Sequence, residues 1–386
     1  MRGYIMKKLK KLCGVVLIAG FMLPHIVLGS TDTAEAASGK WKQDGKKWWY
    51  SYSDGTYPKS KWEKIGGKWY HFDKWGYMQT GWQKISGKWY YFGTNGIMKT
   101  GWQKIGGKWY NFDNNGVMQK GWKKSGGKWY FFDTKGVMVT GIRSMGGKSY
   151  FFDDDGAWIG NITDLKSARI GDLVIFGKYE QDNISRNGKE DIVWRILDRK
   201  SDGGLFVTSM YALDSQPYNT IKTSVTWENC TLRRWLNGTF LNTAFSTSEQ
   251  AKIVYSTVSN YNSPAYGTYG GNNTKDKIFL LGYNDVIKCF HLTSSGTWGN
   301  GAPFYKGDDC CCRPTPYAVA RGVYLDDAWV GTDYEKYTVF CEWWLRTPGL
   351  ETTSAAAVQN GGELLAPGTT VMISSRGVRP AMVIKP

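Results

Sequence analysis

A 20-residue segment recurs in tandem between Trp62 and Tyr150, and this repetition limits what the chain can fold into more than any other feature. Its clearest copies are Gly81–Thr100 and the segment that starts at Gly101. A fixed period of this length indicates stacked units, because one unit is too short to bury its apolar face alone. Tryptophan, tyrosine, glycine, lysine and methionine recur, whereas histidine, cysteine and paired carboxylates do not. The repeats are therefore predicted to bind a ligand and not to catalyse a reaction.

Each copy is predicted to form a β-hairpin. In the copy that starts at Gly81, Trp-Gln-Lys-Ile forms the first strand, Ser-Gly the two-residue turn and Lys-Trp-Tyr-Tyr-Phe the returning strand. An Asp-x-x-Gly segment then supplies a looser turn, with glycine where the backbone needs a positive φ. One hairpin alone is marginal in water, so the hairpins are expected to stack as an all-β solenoid.

The aromatic spacing predicts a binding site at each hairpin. Trp82 and Trp89 lie near the ends of the two strands of one hairpin, and Tyr110 follows one repeat later. Two indoles and a phenol around a small hollow form a cage whose electron-rich faces attract a cation. A quaternary ammonium suits this cage best, because it has no hydrogen bonds to lose on leaving water. Met98, which recurs in the other copies, is predicted to close the cavity floor.

Residues 41–159 resemble the choline-binding, or cell-wall-binding, repeats of Gram-positive surface proteins and autolysins. The run from Trp48 to Lys61, followed by Trp-Glu-Lys-Ile-Gly-Gly-Lys-Trp-Tyr from Trp62, is similar to the start of an autolysin repeat array. The resemblance implies a left-handed β-hairpin solenoid, with choline residues of teichoic acids bound between successive hairpins. It implies four cages: site 1 (Trp62, Trp69, Tyr90), site 2 (Trp82, Trp89, Tyr110), site 3 (Trp102, Trp109, Tyr130) and site 4 (Trp122, Trp129, Tyr150), with Met78, Met98, Met118 and Met138 as the recurring methionines.

The last copy departs from the pattern. Ile142 and Ser149 stand where the other copies have tryptophans, so the segment Gly141–Trp158 is predicted to cap the array. It would still lend Tyr150 to the site before it.

Two competing interpretations of the aromatic residues stay open. Core packing is one, and it is the prediction for Phe92, Phe112 and Phe132, which recur at another position of the copy. Carbohydrate is the other, because tryptophans also stack on sugar rings. The same resemblance extends to repeats of clostridial toxins and glucan-handling enzymes that bind carbohydrate.

Residues 1–36 are predicted to be a signal peptide. Lysines precede an apolar run from Leu12 to Leu28, and Ala34-Glu35-Ala36 offers a small-x-small cleavage site. A transmembrane anchor is the alternative, which the short run interrupted by Pro24 disfavours. The mature protein is expected to be secreted and held at the cell wall or cell surface non-covalently, with no membrane contact after signal cleavage.

The net charge of +16 is unevenly distributed along the chain. Residues 38–160 hold 21 basic and 9 acidic residues, whereas residues 161–386 hold 23 and 22. The basic excess belongs to the repeats and predicts an anionic partner. For an exported protein, anionic wall polymers are favoured over nucleic acid, which is not expected as a partner.

After the repeats (residues 39–160), the 20-residue period ends, the charges balance and cysteines appear. Residues 164–386 are predicted to form one α+β domain. Strands are predicted over 173–176, 192–197, 205–208, 277–281 and 378–384, helices over 231–237 and 247–253, and loops over 260–273 and 294–307. Thr247 or Ser248 is expected to cap the second helix.

The landmarks of this domain resemble a secreted bacterial family of uncharacterised function. The matching segments are Gly171-Asp172, Trp194-Arg195, 211–214, 231–237, Ala244-Phe245, 343–349 and 377–381. Trp-Trp-Leu-Arg from Trp343 and Val-Arg-Pro from Val378 are also similar to C-type-lectin-like folds, including the formylglycine-generating sulfatase-modifying group. That likeness implies a fold and not an activity.

No catalytic or metal-binding set emerges from the C-terminal domain, and no cofactor is implied. His291 is its only histidine, and Cys341-Glu342 is the pair that could be imagined as nucleophile and base. Asp308-Asp309 and Asp326-Asp327 are considered as calcium ligands, but solvated loop charges are favoured.

Six cysteines and four arginines of this domain also carry expectations. The cysteines allow fifteen disulfide pairings, of which Cys310–Cys311 would be strained, and unpaired buried thiols are favoured. The arginines Arg195, Arg234, Arg346 and Arg379 are expected to tie loops together through buried hydrogen bonds.

The sequence as a whole favours a secreted surface protein that binds choline-bearing teichoic acid, or a similar wall polymer, and presents a lectin-like domain to a host or glycan ligand. A wall-anchored peptidoglycan or glycan hydrolase with a catalytic C-terminal domain is one alternative. A carbohydrate-binding scaffold independent of choline is another. Whether the solenoid forms a homodimer through its cap also stays open.

Overall fold

A computed structural model describes residues 38–297, 303–325 and 340–386. These residues form two compact units, one that ends at Gln119 and one that runs from Lys120 to Pro386. The expected signal peptide and Asp326-Asp327 lie outside the described residues. In the part of the chain that is described, no helix is long and apolar enough to cross a membrane.

The first unit is built from antiparallel β-hairpins, as predicted. Its strands are β1 (Gly39–Asp44), β2 (Lys47–Tyr52), β3 (Trp62–Ile65), β4 (Lys68–His71), β5 (Gly81–Ile85), β6 (Lys88–Phe92), β7 (Gly101–Ile105) and β8 (Lys108–Phe112), and consecutive strands pair. The two-residue turns of β3–β4, β5–β6 and β7–β8 have positive φ at both positions, which glycine adopts without strain. In the β7–β8 turn, φ is +56° at Gly106 and +77° at Gly107, so both residues lie in the left-handed region that this turn needs.

A second turn, at the Asp-x-x-Gly segment, joins each hairpin to the next. Asp113 Oδ1 accepts hydrogen bonds from the backbone N–H groups of Asn115 and Val117, both at 2.9 Å. Beyond this turn, the Met118 N–H donates to the carbonyl oxygen of Trp89 in the preceding hairpin at 2.8 Å. Met98 makes the equivalent bond to Trp69 at 2.9 Å. These bonds fix the spacing between successive copies.

The buried side of the hairpins is lined by one phenylalanine per copy. Phe72, Phe92, Phe112, Phe132 and Phe152 are all at most 2% exposed, which confirms the packing prediction for Phe92, Phe112 and Phe132. Burying a phenylalanine side chain contributes about 1.5–3 kcal/mol. Each copy therefore adds its own small part to the buried apolar surface of its unit.

A glycine and a methionine from adjacent copies meet at the Asp-x-x-Gly turn. Gly96 has a φ of +74°, and a Cβ built on it would overlap the side chain of Met78. Gly116 stands in the same way against Met98, and Gly156 against Met138. This glycine is thus required twice, for its backbone angle and for the close approach of the methionine.

The second unit begins with the last two hairpins and continues into a larger α+β structure. Its strands are β9 (Gly121–Ser125), β10 (Lys128–Phe132), β11 (Gly141–Met145), β12 (Lys148–Phe152), β13 (Trp158–Ile162), β14 (Leu173–Tyr179), β15 (Glu190–Arg199), β16 (Leu205–Ser209), β17 (Asp214–Ser215), β18 (Ser256–Val258), β19 (Thr274–Asp276), β20 (Ile278–Leu280), β21 (Ser294–Thr297), β22 (Pro303–Tyr305), β23 (Trp343–Pro348), β24 (Ser354–Val358), β25 (Leu364–Thr370), β26 (Gly377–Val378) and β27 (Pro380–Ile384). Its helices are α1 (Thr231–Trp235), α2 (Leu241–Ala244), α3 (Thr247–Lys252), α4 (Tyr283–Cys289) and α5 (Pro316–Ala320), with a π-helical segment Leu236–Phe240 between α1 and α2. Single 3₁₀ turns occur at Ser185–Asn187 and Asp308–Cys310.

Two sheets organise this unit. The larger has the strand order β11-β12-β13-β14-β15-β16-β27-β20, so the last repeat hairpin is continuous with the sheet of the C-terminal domain. The smaller has the order β17-β26-β23-β24-β25. The domain boundary expected between residues 160 and 164 falls inside this unit, at the connection from β13 to β14.

Four fully buried tryptophans anchor the core of the second unit. The indole N–H of Trp194 donates to Phe176 O, that of Trp227 to Asp276, that of Trp343 to Cys310 O and that of Trp344 to Gln216 O. Each indole thus buries a large apolar surface without leaving its polar atom unsatisfied.

The predicted strands and the loop over 260–273 are confirmed, but three local predictions are wrong. Ser246, and not Thr247 or Ser248, caps α3, because it forms a reciprocal capping box with Glu249. Residues 294–307 include the strand pair β21–β22 in place of a continuous loop. Arg234 is exposed, and its neighbour Arg233 makes the buried contacts, to Asp276 and Glu228 O.

We predict that Gly96→Ala destabilises the first unit more than Gly107→Ala. Both residues have similar positive φ, so both substitutions carry the left-handed penalty of about 1–2 kcal/mol. Only the methyl group at position 96 also overlaps Met78, which adds about 1–3 kcal/mol of overpacking. Urea unfolding of the full chain, followed by tryptophan fluorescence, measures the difference. Equal destabilisation by the two substitutions would contradict the packing role of Gly96.

Candidate functional site

The two tryptophans of each repeat lie diagonally across one face of their hairpin. Trp82 opposes Tyr91, and Trp89 opposes Lys84, so the register places both indoles on the same side. Their ring centroids are 6.3 Å apart and the ring planes are nearly perpendicular, at 85°. The equivalent pairs of sites 3 and 4 have centroid distances of 6.3 and 6.4 Å. The sequence period is thus reproduced as a period of tryptophan pairs.

A tyrosine from the following copy meets the first tryptophan of the pair. Ring centroids are 4.8 Å apart for Trp62 and Tyr90 in site 1, and 4.8 Å apart for Trp82 and Tyr110 in site 2. In site 4, Trp122 and Tyr150 are 5.3 Å apart. The structure therefore brings these predicted partners together.

The residues predicted for site 3 belong to two different units. Trp102 and Trp109 lie on β7 and β8 of the first unit. Tyr130, the tyrosine assigned to this site from the sequence, lies on β10 of the second unit. Its assignment to site 3 stays a prediction.

The two tryptophans of a pair differ in what they contact. Trp82 is half-buried and packs on Phe112 of the next copy, with centroids 5.7 Å apart. The second tryptophan is exposed at 43% in Trp69, 37% in Trp89, 40% in Trp109 and 42% in Trp129. In sites 1 to 3, one indole is therefore half-buried while the other leaves much of its surface available to a ligand; in site 4 both are exposed, since Trp122 is 41% exposed.

Lysine ammonium groups lie close to the exposed indoles. The Nζ atoms of Lys64, Lys104 and Lys124 are 5.9, 5.9 and 6.0 Å from the ring centroids of Trp69, Trp109 and Trp129. Each of these lysines directly opposes its tryptophan in the hairpin register. The grooves thus combine aromatic faces, which attract cations, with fixed positive charges, which attract anions nearby.

The recurring methionines lie between copies. Met78, Met98 and Met138 pack against the turn glycine of the following copy, and Met118 is buried. Their backbone links run to the exposed tryptophan of the preceding hairpin, as in Met98 to Trp69. A role of the methionine sulfur as the floor of each cage stays a prediction.

The sequence interpretation missed a further aromatic triad at the start of the repeats. Trp41 opposes Tyr50 and lies 4.9 Å from Tyr70, measured between ring centroids. Trp48 is 41% exposed, and its carbonyl oxygen accepts the Met78 N–H, as Trp69 accepts that of Met98. The signal was present, because Trp41 and Trp48 have the same spacing as Trp62 and Trp69. It was overlooked because this first copy lacks the Gly-Gly or Ser-Gly turn.

The last hairpin, β11–β12, has Ile142 and Ser149 at the positions of the tryptophan pair. Ser149 instead shares a 2.8 Å hydrogen bond with Ser144 across the hairpin. Strand β12 pairs with β13 on its other edge and so leads into the large sheet. This hairpin contributes Tyr150 to Trp122 on one side and joins the C-terminal domain on the other.

The residues considered for catalysis in the C-terminal domain have other surroundings. Cys341 is fully buried, and burial raises the pKa of its thiol, whereas a nucleophilic cysteine needs an accessible thiolate. Glu342 forms an ion pair with Arg376. His291 lies on the surface with a φ of +53°. These contacts account for Cys341 and Glu342 as structural residues.

Two of the predicted arginine anchors are confirmed. Arg346 donates to the carbonyl oxygens of Leu280 and Ser259 and pairs with Asp285. Arg379 donates to Ser209 O and Cys310 O. For Arg195, burial lowers the pKa of the guanidinium.

Three carboxylates, of Glu180, Asp182 and Glu190, offer oxygen atoms within 4.8 Å of one another. Glu180 and Asp182 accept the Ile184 N–H, and Glu190 accepts the Gln181 N–H. These bonds order the local loop. Asp308 and Asp309 lie exposed in a 3₁₀ turn.

A cavity of about 490 Å³ lies in the second unit, between the last hairpin and the C-terminal domain. Ile142 and Phe151 of the hairpin and Val193 and Tyr211 of the domain form its apolar part. Asp154, Lys178, Lys189 and Glu190 are among its charged residues. Its volume is in the range of small-ligand sites.

Comparison with known proteins identifies both parts of the chain. Residues 59–100 and 99–140 match the model of the choline-binding repeat family. Residues 202–386 match a family described as a domain of unknown function, DUF6273.

Several proteins of known sequence or structure match part of the chain. The lysozymes of the Streptococcus phages Cp-1 and Cp-9 are each 50% identical over 36 residues, which is 9% of this chain and 11% of theirs. A crystal structure of choline-binding protein F from Streptococcus pneumoniae is 40% identical over 33% of this chain and 44% of its own, with a TM-score of 0.31. The phage Cp-1 endolysin complexed with choline is 42% identical over 33% of this chain and 39% of its own, with a TM-score of 0.26.

The chain thus spans about a tenth of the curated relatives and less than half of these solved chains. The repeats of this protein are choline-binding repeats of the β-hairpin solenoid type, and they precede a C-terminal domain whose family has no known function.

Proposed function

We propose that this protein is secreted and attaches non-covalently to choline-bearing teichoic acid of the cell wall, through the aromatic sites of residues 39–160. The C-terminal domain, residues 164–386, is then displayed at the cell surface. The observation that carries the proposal is the recurring group of two tryptophans and a tyrosine, with at least one indole of each pair left exposed. The match of these copies to the choline-binding repeat family supports it.

The ring arrangement favours a compact cation over a sugar. In site 2, the planes of Trp82 and Trp89 meet at 85°, and those of Trp82 and Tyr110 at 65°. Rings that converge at steep angles surround a small rounded group from several sides, whereas a flat sugar ring stacks on one open face. A trimethylammonium group fits such a corner and gains cation–π attraction from each ring.

The charge of the repeats favours a ligand that is cationic at one point and anionic along its length. Residues 38–160 carry 21 basic and 9 acidic residues, and Lys64, Lys104 and Lys124 stand beside the exposed indoles. A polymer whose choline groups are attached through phosphate satisfies both, because the choline enters the cage while the phosphates meet the lysines. Choline-substituted teichoic acid has this chemistry.

Several weak sites acting together would produce firm attachment. A cation–π contact contributes about 0.5–2 kcal/mol, so one cage holds choline only weakly. Sites 1 to 4 and the triad of Trp41, Trp48 and Tyr70 follow one another along the chain. A polymer with repeated choline groups can occupy several of them at once and gain effective concentration at each further step.

We predict that the full chain binds an immobilised choline analogue and is released by free choline, but not by sodium chloride at the same ionic strength. Trp89→Ala should weaken the affinity of site 2 by about 2- to 30-fold, because it removes one cation–π partner. Trp75→Ala is the matched control, since Trp75 is 63% exposed and belongs to none of the sites. Equal elution of the two variants, or release by an oligosaccharide and not by choline, would contradict the proposal.

Lys104→Gln is expected to distinguish the binding of choline from the binding of the polymer's phosphates. Removing this positive charge beside Trp109 should leave free choline binding unchanged or slightly tighter, because it removes repulsion. The same substitution should weaken binding of choline-bearing teichoic acid, most clearly at low salt. Isothermal titration with each ligand measures both effects. A loss of free-choline affinity with no change for the polymer would show that the lysine does not contact phosphate.

For the C-terminal domain, the proposal is a binding role toward a glycan or host ligand, with a lectin-like architecture, and not wall hydrolysis. The cavity of about 490 Å³ supports binding, and the burial of Cys341 removes one imagined nucleophile. In the presence of saturating choline, the full chain should bind a subset of an arrayed glycan set. Lys189→Ala in the cavity should reduce that binding, and the exposed Lys252→Ala should not. Solubilisation of purified walls would instead support a hydrolase.

A further inference from the structure

Two cysteines that are far apart in the sequence face each other in the core of the second unit. Cys312 and Cys341 are partners in an isolated antiparallel β-bridge, and the Cys341 N–H donates to Cys312 O at 2.8 Å. Their exposures are 1% and 0%. Among the described residues, the cysteines are present as thiols.

The bridge gives these two residues the separation that a disulfide needs. Residues directly opposite in an antiparallel pair have Cα atoms about 4.5–5.5 Å apart. Disulfides span Cα separations of about 4.4–6.8 Å. The two thiols are also close enough in the interior to interact with each other, which places both side chains on the same side of the bridge. Bond formation would therefore require little movement of the backbone.

The remaining cysteines have geometry that favours other roles. The Cys230 sulfur caps α1, since it accepts the Arg233 N–H and donates to Trp227 O. Cys289 lies half-buried on α4. Cys310 and Cys311 are sequence neighbours, whose direct bond would be strained. Among the six cysteines, Cys312 and Cys341 are therefore the pair whose geometry favours a disulfide.

We propose that Cys312 and Cys341 form an intramolecular disulfide when the protein folds in the presence of a disulfide oxidant. One cysteine thiolate attacks the oxidant, forms a mixed disulfide and releases one thiol. The second cysteine then attacks the mixed disulfide, forms the Cys312–Cys341 bond and releases the second thiol. Two protons and two electrons pass from the protein to the oxidant, whose own disulfide bond is broken. Because both sulfurs are buried in the folded domain, the exchange takes place before folding is complete.

The bond would link Cys312 to the residue two positions before β23 (Trp343–Pro348). Trp343, two residues beyond Cys341, donates its indole N–H to Cys310 O, and Glu342 pairs with Arg376. A disulfide at this point restricts the unfolded chain and holds the beginning of a fully buried strand in register. The site is independent of the choline proposal, since it depends only on the fold of the second unit.

Peptide mapping tests the pairing directly. The reduced full chain is refolded with a mixture of reduced and oxidised glutathione, alkylated under denaturing conditions without reductant, digested and analysed by mass spectrometry. The expected product joins the peptides of Cys312 and Cys341, while Cys230 is alkylated. Alkylation of both Cys312 and Cys341, or a bond from either of them to another cysteine, would overturn the proposal.

Variants test whether the bond stabilises the domain. A reductant present during refolding should lower the thermal unfolding temperature of the wild type and of Cys311→Ala, the neighbouring control that retains the bond. The double variant Cys312→Ala/Cys341→Ala should show no such response, even if its unfolding temperature is lower throughout. An equal response of the double variant and the wild type would also overturn the proposal.

Discussion

The contact between one copy and the next is the interaction on which the rest of the first unit depends. Trp82 meets Trp89 within its own hairpin, but its neighbours Tyr110 and Phe112 belong to the following copy. The same indole therefore closes the core on one side and shapes a groove on the other. A single copy can make neither the core nor the groove, which is the physical reason for the repetition.

Glycine and charge complete this arrangement in different ways. Gly96 allows the turn of one copy to lie directly against Met78 of the copy before it, so the spacing between grooves is set by backbone geometry. The basic excess acts over a longer range and favours an anionic polymer along the whole series of copies. Aromatic contacts would then select choline, and the lysines would bind the anionic polymer that carries it.

The sequence predicted the hairpins because their period, glycine turns and alternating aromatics are local signals. It missed the triad at Trp41 and Trp48, where the turn residues differ although the tryptophan spacing is kept. It also chose Arg234 over Arg233, because neighbouring positions on a short helix point in directions about 100° apart and only packing decides between them. The meeting of Cys312 and Cys341 depends on strand register across the domain, which no local pattern encodes.

A crystal structure of the full chain grown with choline would test the central claim most directly. The account predicts a trimethylammonium group in the groove of site 2, within about 6 Å of the ring centroids of Trp82, Trp89 and Tyr110. Equivalent density is expected at the other tryptophan pairs. Grooves without choline, or choline bound only at unrelated surfaces such as that of Trp75, would contradict the account.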